Sequence, residues 1–279
     1  MSNCDSCPNK GNCDKDQESC GITNNELNKI KHVIGVMSGK GGVGKSSMTV
    51  LLAKQLQKDG YKVGILDADI TGPSIPRLFG LENEKAMGND NFIYPVVSEE
   101  GIKTMSLNYL IDEESKPVIW RGPIIANAVK QFWNDVLWEE LDFLFIDMPP
   151  GTGDVALTVM QTIPLEGVVM VSIPQDMVSM IVSKAVHMAE EMNIKVLGVI
   201  ENMSYIICPD CKKKIQLYDA ENTDDFLNEI HVPLLAELPM TTMIGNIHKD
   251  ITYDLRQQEE VSSYAKPMAD ALLKQINLK

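Results

Sequence analysis

Continuous apolar runs recur along the chain and alternate with segments of helical periodicity. The runs are His32–Met37, Lys62–Leu66, Phe143–Ile146, Gly167–Ile173, Val196–Ile200 and Val232–Leu238. Uninterrupted Val, Ile and Leu runs are typical of strands that are buried on both faces, as in a parallel sheet. The alternation therefore predicts an α/β fold, a doubly wound and mostly parallel sheet with helices on both faces.

The helices that this pattern predicts carry one apolar face each. One begins at about Ser47, a second runs from Gly122 to Trp133, a third from about Asp176 to Met192, and a last from Tyr264 to Ile276. Three shorter apolar patterns predict short strands that form an excursion from the main sheet. They are Phe92–Val97, Lys103–Leu107 and Val118–Trp120.

A glycine-rich loop joins the first predicted strand to the first predicted helix. It fits the pattern G-x-x-x-x-G-K-[ST], in which backbone N–H groups bind nucleotide phosphates, the lysine reaches the β- and γ-phosphates and the hydroxyl binds Mg²⁺. The predicted nucleotide-binding residues are Gly39, Lys40, Gly41, Gly42, Val43, Gly44, Lys45 and Ser46. An ordinary loop of this kind needs only Lys45, so Lys40 is either a solvated turn residue or a charge that reaches a phosphate from elsewhere.

Carboxylates follow two of the predicted strands, at the sheet edge where open α/β sheets bind ligands. We expect Asp67 to hold the water shell of the metal and Asp69 to orient or deprotonate the water that attacks the γ-phosphate. Asp147 ends another strand and is expected to hold Mg²⁺ through water. The segment that follows it, Met148 to Asp154, contains two prolines and two glycines and is predicted to be a switch loop. Asn202 follows a further strand and could bind a purine edge or be a turn residue.

Four cysteines, Cys4, Cys7, Cys13 and Cys20, lie within residues 1–31, which show no periodicity and are predicted to form a separate segment before an ATPase domain at 32–279. Four thiolates in a short segment could hold an iron–sulfur cluster or zinc, or could be an incidental tail.

A second pair, Cys208 and Cys211, forms a C-P-x-C motif followed by three lysines. Two thiolates cannot complete a site of four ligands. The pair could be a redox dithiol, share a site with the N-terminal cysteines, or share one with the same pair of another copy across a two-fold axis. In such a dimer, Lys40 could reach the partner's nucleotide.

Composition and net charge disfavour two classes of function, nucleic-acid binding and membrane spanning. The 279 residues carry a net charge of -14, which disfavours nucleic acid as a partner, and no apolar stretch is long enough for a membrane span. The first residues lack the apolar core of a signal peptide, so we expect a cytoplasmic protein whose six cysteines bind metal rather than form disulfides.

Several motifs together resemble one family. The loop with its additional lysine is similar to that of the nitrogenase iron protein, the MinD and ParA positioning ATPases and the arsenite pump ATPase. Further stretches narrow the resemblance to the Mrp/ApbC iron–sulfur cluster carrier ATPases, which have the P-loop NTPase fold. They are Leu66–Ile70 with Gly72–Pro76, Arg121–Pro123, Asp147–Asp154, Glu201–Ser204 and Cys208–Cys211.

The resemblance implies a homodimer that hydrolyses ATP with Mg²⁺ and holds a labile [4Fe-4S] cluster between subunits by Cys208 and Cys211 of each. Its implied partners are apo iron–sulfur proteins that receive the cluster. Cys4, Cys7 and Cys13 match the last three cysteines of a ferredoxin-like segment in eukaryotic cytosolic relatives, whereas Cys20 has no counterpart there.

Three other functions are compatible with parts of the sequence. A positioning ATPase would share the phosphate loop but gives no reason for the C-P-x-C motif. An electron-donating reductase like the nitrogenase iron protein also bridges a cluster, but its bridging cysteines lie far apart in sequence. Zinc at both cysteine groups would make them structural.

Overall fold

The architecture is seen in a computed structural model, which describes residues 25–69, 72–110, 122–174, 176–217, 227–245 and 255–278. Its strands are β1 (Lys29–Ser38), β2 (Val63–Asp67), β3 (Val96–Val97), β4 (Lys103–Met105), β5 (Glu140–Asp147), β6 (Gly167–Ser172), β7 (Lys195–Ile207), β8 (Lys214–Gln216) and β9 (Leu234–Pro239). Its α-helices are α1 (Lys45–Lys58), α2 (Ile75–Leu78), α3 (Gly122–Asp135), α4 (Asp154–Thr162), α5 (Asp176–Glu191), α6 (Thr242–Gly245) and α7 (Leu255–Gln275). A 3₁₀ turn, Leu107–Tyr109, follows β4.

These strands form one sheet in the order β3-β4-β2-β5-β1-β6-β7-β8, with β9 also paired to β7. Strand β1 lies at the centre, parallel to β5 on one side and to β6 on the other. Asp67 at the end of β2 is the register partner of Asp147 at the end of β5. The carboxyl ends of the central strands therefore meet at one edge, where the phosphate loop leaves β1.

Helices cover both faces of the sheet. One core cluster contains buried residues of α1 and α7, such as Leu52 and Leu272, packed against Ile34 and Phe145. The other contains residues of α3, α4 and α5, such as Phe132, Val159 and Ala185, packed on the opposite side chains of the same strands. Burial on both faces explains the continuous apolar runs. The predicted doubly wound, mostly parallel fold is confirmed.

The predicted excursion from the main sheet is wrong where the structure describes it. Strand β4 pairs in parallel with β2 and therefore belongs to the main sheet, and β3 pairs antiparallel with β4. A run of three residues is too short for its periodicity to reveal the sheet that it joins. The third predicted strand of this group, Val118–Trp120, lies outside the described residues.

Strand β7 is longer than the apolar run that predicted it. It continues from Ile200 through Ile207, and β8 then pairs back on it as a hairpin. The polar residues Glu201, Asn202 and Ser204 hid this continuation, although all three are buried. Ser204 donates to Glu201 within the strand, and Asn202 donates to Val43 O outside it. Asn202 therefore lies inside a strand and not in a turn after one.

Strand β1 begins at Lys29, three residues before the predicted boundary between the N-terminal segment and the ATPase domain. The four N-terminal cysteines, Cys4, Cys7, Cys13 and Cys20, lie outside the described residues. In the described part of the chain, the helices are too short or too polar to cross a membrane.

Candidate nucleotide site and cysteine knuckle

The phosphate loop connects the end of β1 to the start of α1. Gly42 and Gly44 have φ angles of 82° and 86°, the left-handed region that favours glycine. Helix α1 begins directly after Gly44, whose carbonyl accepts the first helical hydrogen bond, from Met48 N at 2.9 Å. The free N–H groups and the positive end of the helix dipole therefore lie at the loop, where an anion binds favourably.

Lys45 is buried at the first position of α1 among carboxylates. Its Nζ lies 2.8 Å from Asp147 Oδ1 and 3.9 Å from Asp69 Oδ2. The hydroxyls of Ser46 and Thr49 also donate to Asp147, at 2.5 and 3.0 Å. One lysine and two hydroxyls therefore compensate the fully buried Asp147 carboxylate.

The residues present fit a nucleotide with Mg²⁺. A Cβ on Gly42 would meet nothing within 4 Å, so open space lies above the loop backbone. Ser46 and Asp147 supply a hydroxyl and a carboxylate oxygen side by side, and Mg²⁺ prefers such oxygen ligands. The predicted binding and metal roles of these residues remain predictions that this geometry allows.

Asp67 ties the loop after β2 to the sheet. Its oxygens accept hydrogen bonds from the backbone N–H groups of Asp69, Ser74 and Ile75, at 3.2, 3.1 and 3.2 Å. The hydroxyl of Ser106, at the end of β4, donates to the same carboxylate at 3.2 Å. These contacts anchor the loop that follows Asp69. The expected place of Asp67 in the metal's water shell stays a prediction.

Asp67 does not carry its full charge at neutral pH. Burial, followed by the neighbouring charge of Asp147, raises the pKa of Asp67 to about 8, although Lys45 and the N–H of Ile75 act in the opposite direction. With that pKa, Asp67 is largely protonated at neutral pH. The cation of Lys45 lies closest to Asp147 and Asp69.

The predicted switch loop after β5 packs directly on the phosphate loop. Gly151 N donates to Ser38 O at 2.7 Å, and Pro150 Cγ lies 4.0 Å from the Cβ position of Gly41. Gly151 itself has a φ of 82°. A movement of the phosphate loop on nucleotide binding would therefore directly displace this segment.

Asn202 reaches the phosphate loop from β7. Its side-chain Nδ2 donates to Val43 O at 2.9 Å, and the residue is 2% exposed. The amide nitrogen is thus bound to the loop backbone, and the contact with a purine edge that the sequence allowed stays a prediction. Lys40, the second lysine of the loop, is half-buried at its start.

The two thiols of the C-P-x-C motif sit at the tip of the β7–β8 hairpin, which we call the cysteine knuckle (residues 207–214). Backbone hydrogen bonds of 3.0 Å join Cys208 N to Lys213 O and Lys212 N to Cys208 O, and Lys212 adopts a φ of 58°. Cys208 is half-buried, Cys211 is exposed, and neither forms a disulfide.

The knuckle favours the thiolate form of its first cysteine. Hydrogen bonds from the backbone N–H groups of Cys211 and then Asp210 lower the pKa of Cys208, with a smaller contribution from the charge of Lys212. Thiolate is the form that ligates metals. In the described residues, no group of three or more His, Cys, Asp or Glu side chains is placed to hold a metal ion.

Exposed apolar side chains lie on the two strands that flank the knuckle, and Ile206 and Ile215 are register partners across the hairpin. Ile206, Ile207 and Ile215 are 36, 37 and 48% exposed. Adjacent exposed isoleucines next to two free thiols form a surface suited to contact with another protein.

Two residues of the site were missed by the sequence analysis. Thr49 follows Lys45 by one helical turn, so helical spacing could have placed it beside Asp147. Ser106 gave no signal, since its contact with Asp67 depends on the placement of β4 beside β2.

Comparisons with known proteins identify the family of this chain. The family described as NUBPL iron-transfer P-loop NTPase (ParA) matches residues 29–276. The chain is 49% identical to the iron-sulfur cluster carrier protein of Clostridium perfringens (strain 13 / Type A) over 86% of this chain and 89% of that protein.

Two solved structures are similar to the described fold. One is a nucleotide-binding protein of Archaeoglobus fulgidus in complex with ADP, 41% identical with a TM-score of 0.72 over 85% of this chain and 91% of that one. The cell division ATPase MinD of Pyrococcus furiosus, 19% identical with a TM-score of 0.60 over 87% and 98%, shares the fold alone. The chain belongs to the NUBPL iron-transfer P-loop NTPase family and is an NTPase with the MinD/ParA-like fold.

Proposed function

We propose that this protein is an ATP-hydrolysing carrier that holds a labile [4Fe-4S] cluster and passes it to apo iron–sulfur proteins. The observation that carries the proposal is the cysteine knuckle, which presents Cys208 and Cys211 as free thiols at an exposed hairpin tip in a member of an iron-transfer NTPase family. Relatives that share nearly half of its residues are named iron–sulfur cluster carriers.

Two thiols supply half of the four ligands that a [4Fe-4S] cluster needs. A second copy related by a two-fold axis supplies the other half, because such an axis brings identical patches together. The exposed isoleucines Ile206, Ile207 and Ile215 beside the thiols suit this dimer contact. Separation of the two copies would remove two of the four thiolate ligands, and thiolates of the recipient apo-protein would replace these and then the remaining two, which makes the cluster labile.

Within the nucleotide site, each polar residue has a role that its position suggests. Lys45 would leave Asp147 for the β- and γ-phosphates, while Ser46 and Asp147 would hold Mg²⁺, which neutralises charge on the phosphates. Asp69 would orient or deprotonate the attacking water. Lys40 would reach the nucleotide of the partner subunit, a role that needs the dimer.

The N-terminal cysteines form a separate proposal. Cys4, Cys7, Cys13 and Cys20 would hold a second iron–sulfur cluster, since four thiolates suffice for one site. The knuckle site and this site can be separated by substitution.

The test is anaerobic loading with iron and sulfide, followed by measurement of iron, sulfide, zinc and absorbance. We expect about one four-iron cluster per dimer to be lost from a Cys208→Ala/Cys211→Ala variant. A variant with serine at the four N-terminal cysteines should keep that cluster and lose any further iron. Wild-type protein that takes up zinc instead of iron, or no metal, would exclude the carrier function.

A further inference from the structure

The phosphate loop rests directly on the strand that ends in the cysteine knuckle. Besides the bond from Asn202 to Val43, Met203 Cε lies 3.9 Å from the Cβ position of Gly44. Met203 has a φ of 55°, which is uncommon for a residue with a side chain, and the pairing of β7 with β9 shifts register here. The strand therefore has an irregular, strained point where the phosphate loop touches it.

Ser204, the residue after this point, lies between two carboxylates. Its Oγ is 3.0 Å from Glu201 Oε2 and 2.8 Å from Glu237 Oε1, and the residue is 3% exposed. Glu201 lies in the middle of β7, directly before Asn202, which binds the phosphate loop, and Glu237 belongs to the neighbouring strand β9.

Glu237 continues the contact to the hairpin that carries the thiols. Lys214 Nζ on β8 donates to Glu237 Oε2 at 2.6 Å and lies 4.2 Å from the ring centroid of Tyr205. Gln216 donates to the other oxygen at 3.4 Å. Burial would raise the pKa of Glu237, but the hydrogen bonds from Lys214, Ser204 and Gln216 outweigh burial and lower it. Glu237 is therefore ionised and binds β8.

A serine hydroxyl has one hydrogen, so Ser204 can donate to only one carboxylate at a time. When it donates to Glu237, the hairpin is bound more firmly to β9. When it donates to Glu201, Glu237 keeps only its donors on β8. The hydroxyl thus has two discrete arrangements, one toward Glu201, which neighbours the loop-binding Asn202, and one toward Glu237, which binds β8. Coupling between sites requires such a pair of arrangements.

We propose that Ser204, Glu237 and Lys214 form a polar relay through which the nucleotide state of the phosphate loop sets the position of the cysteine knuckle. The relay rests on the proposed function, because it assumes that the knuckle carries the cluster. It assigns a regulation to that function. Asn202 is the input, since it binds the loop, and Lys214 is the output, since it lies three residues after Cys211. The strand between Asn202 and Cys208 spans roughly 20 Å at the usual rise per residue.

The experiment measures the alkylation rates of Cys208 and Cys211 in the full, metal-free chain, using iodoacetamide and site-resolved mass spectrometry. Rates are compared without nucleotide, with Mg²⁺ and ADP, and with Mg²⁺ and the slowly hydrolysed analogue ATPγS. In the wild type we expect ATPγS to change the rate at Cys208 at least about fivefold, the lower end of ordinary couplings between sites.

Two variants break the relay outside the nucleotide site. In Ser204→Ala and in Lys214→Met, the ATPγS effect should fall below about twofold, whereas affinity for ATPγS and basal ATP hydrolysis stay at wild-type levels. Lys213→Met is the matched control. It removes the same charge from the adjacent exposed residue, which lies outside the contacts with Glu237, and should keep the wild-type effect.

Each outcome decides the proposal. A wild-type chain whose thiols do not respond to ATPγS overturns it, as do relay variants that respond like the wild type. A loss that is equal in Lys213→Met would assign the effect to surface charge and would also overturn it. Because the thiol measurement needs no cluster, a chain that fails to load iron would refute the carrier function while the relay is still decided by the alkylation rates.

Discussion

The amide nitrogen of Asn202 lies 2.9 Å from the carbonyl oxygen of Val43 and 2.4 Å from the position that a Cβ would take on Gly44. Strand β7 and the phosphate loop are therefore in contact with no space for an additional atom. Gly44 is required by its φ of 86° and by this contact, whereas Gly42, with a φ of 82°, has open space around it. The two glycines of this loop therefore form a matched pair, since both have a positive φ and only Gly44 is in close contact with another side chain.

Alanine substitutions at Gly42 and Gly44 distinguish the stability cost of backbone strain from the cost of steric conflict with Asn202. Gly42→Ala should lower the free energy of unfolding by about 1–2 kcal/mol, the cost of a left-handed residue with a Cβ. Gly44→Ala should cost about 1–3 kcal/mol more, because its methyl group displaces the buried Asn202. Urea unfolding of both variants measures the difference.

A Gly44→Ala/Asn202→Ala variant provides the control for this difference. Removing the amide opens the space that the methyl group needs, so the double variant should recover part of the additional loss. Equal stabilities of Gly42→Ala and Gly44→Ala would show that the contact between Asn202 and the loop exerts no steric constraint.

The sheet and the phosphate loop could be predicted from the sequence because each depends on local pattern. Strands buried on both faces give continuous apolar runs, and the glycine positions of the loop are set by backbone geometry within eight residues. The continuation of β7 was hidden, since buried polar residues such as Asn202 and Ser204 look like a turn until their partners are known. Those partners, Val43 and Glu237, lie 159 and 33 residues away in sequence.

The same reason explains why Ser106 was missed. Its contact with Asp67 forms across 39 residues of sequence and depends on the pairing of the three-residue strand β4 with β2. No periodic pattern in the sequence predicts such a strand pairing. The role of Asp67 as the anchor of the following loop therefore needed the structure.

Lys45 is the cation that compensates the buried carboxylates, so its removal should destabilise the nucleotide-free protein as well as abolish ATP hydrolysis. Lys45→Ala leaves Asp147, which is 0% exposed, without its ion-pair partner. Breaking a buried pair in this way costs about 3–5 kcal/mol. Denaturant unfolding without nucleotide measures the loss.

The compensating variant is Lys45→Ala/Asp147→Asn, which removes the uncompensated charge together with its partner. Its stability should lie between those of Lys45→Ala and the wild type, although it remains inactive. If the second substitution lowers stability further, the carboxylate of Asp147 is held by Ser46 and Thr49 rather than by the lysine.

Ser106 should act on the hydrolysis rate through Asp67. In Ser106→Ala, Asp67 loses one of its four donors, and the loop that it anchors after Asp69 becomes less well positioned. Small displacements of a positioning group can lower rates by up to about a hundredfold. We expect kcat for ATP to fall about tenfold or more while KM changes little, since the phosphate loop itself is intact.

Ser98→Ala is the matched control for Ser106. Ser98 is a buried serine in the turn between β3 and β4, and its hydroxyl accepts a hydrogen bond from Ile102 N at 3.3 Å without contact to Asp67. The Ser98→Ala variant should keep the wild-type kcat. A fall in kcat of the same size in both variants would point to general destabilisation of this sheet edge.

Cys208 should react as a thiolate at lower pH in the folded, metal-free protein than in the same chain unfolded in urea. Its ordinary pKa is about 8.5. Hydrogen bonds from the N–H groups of Cys211 and Asp210 stabilise the thiolate and lower that pKa on folding. As pH falls from 9 to 7, the unfolded chain should therefore lose reactivity first, and the folded chain should keep it until a lower pH is reached.

The measurement is the pH profile of iodoacetamide alkylation at Cys208, resolved by mass spectrometry in the folded and the unfolded chain. Because backbone hydrogen bonds outweigh the charge of Lys212, neither Lys212→Gln nor 1 M salt should move the folded midpoint far. A midpoint that returns to the unfolded value in Lys212→Gln would assign the shift to the lysine. Identical midpoints in the folded and unfolded chains would contradict thiolate stabilisation by the knuckle, and the geometry of the turn would then favour no particular protonation state for metal binding.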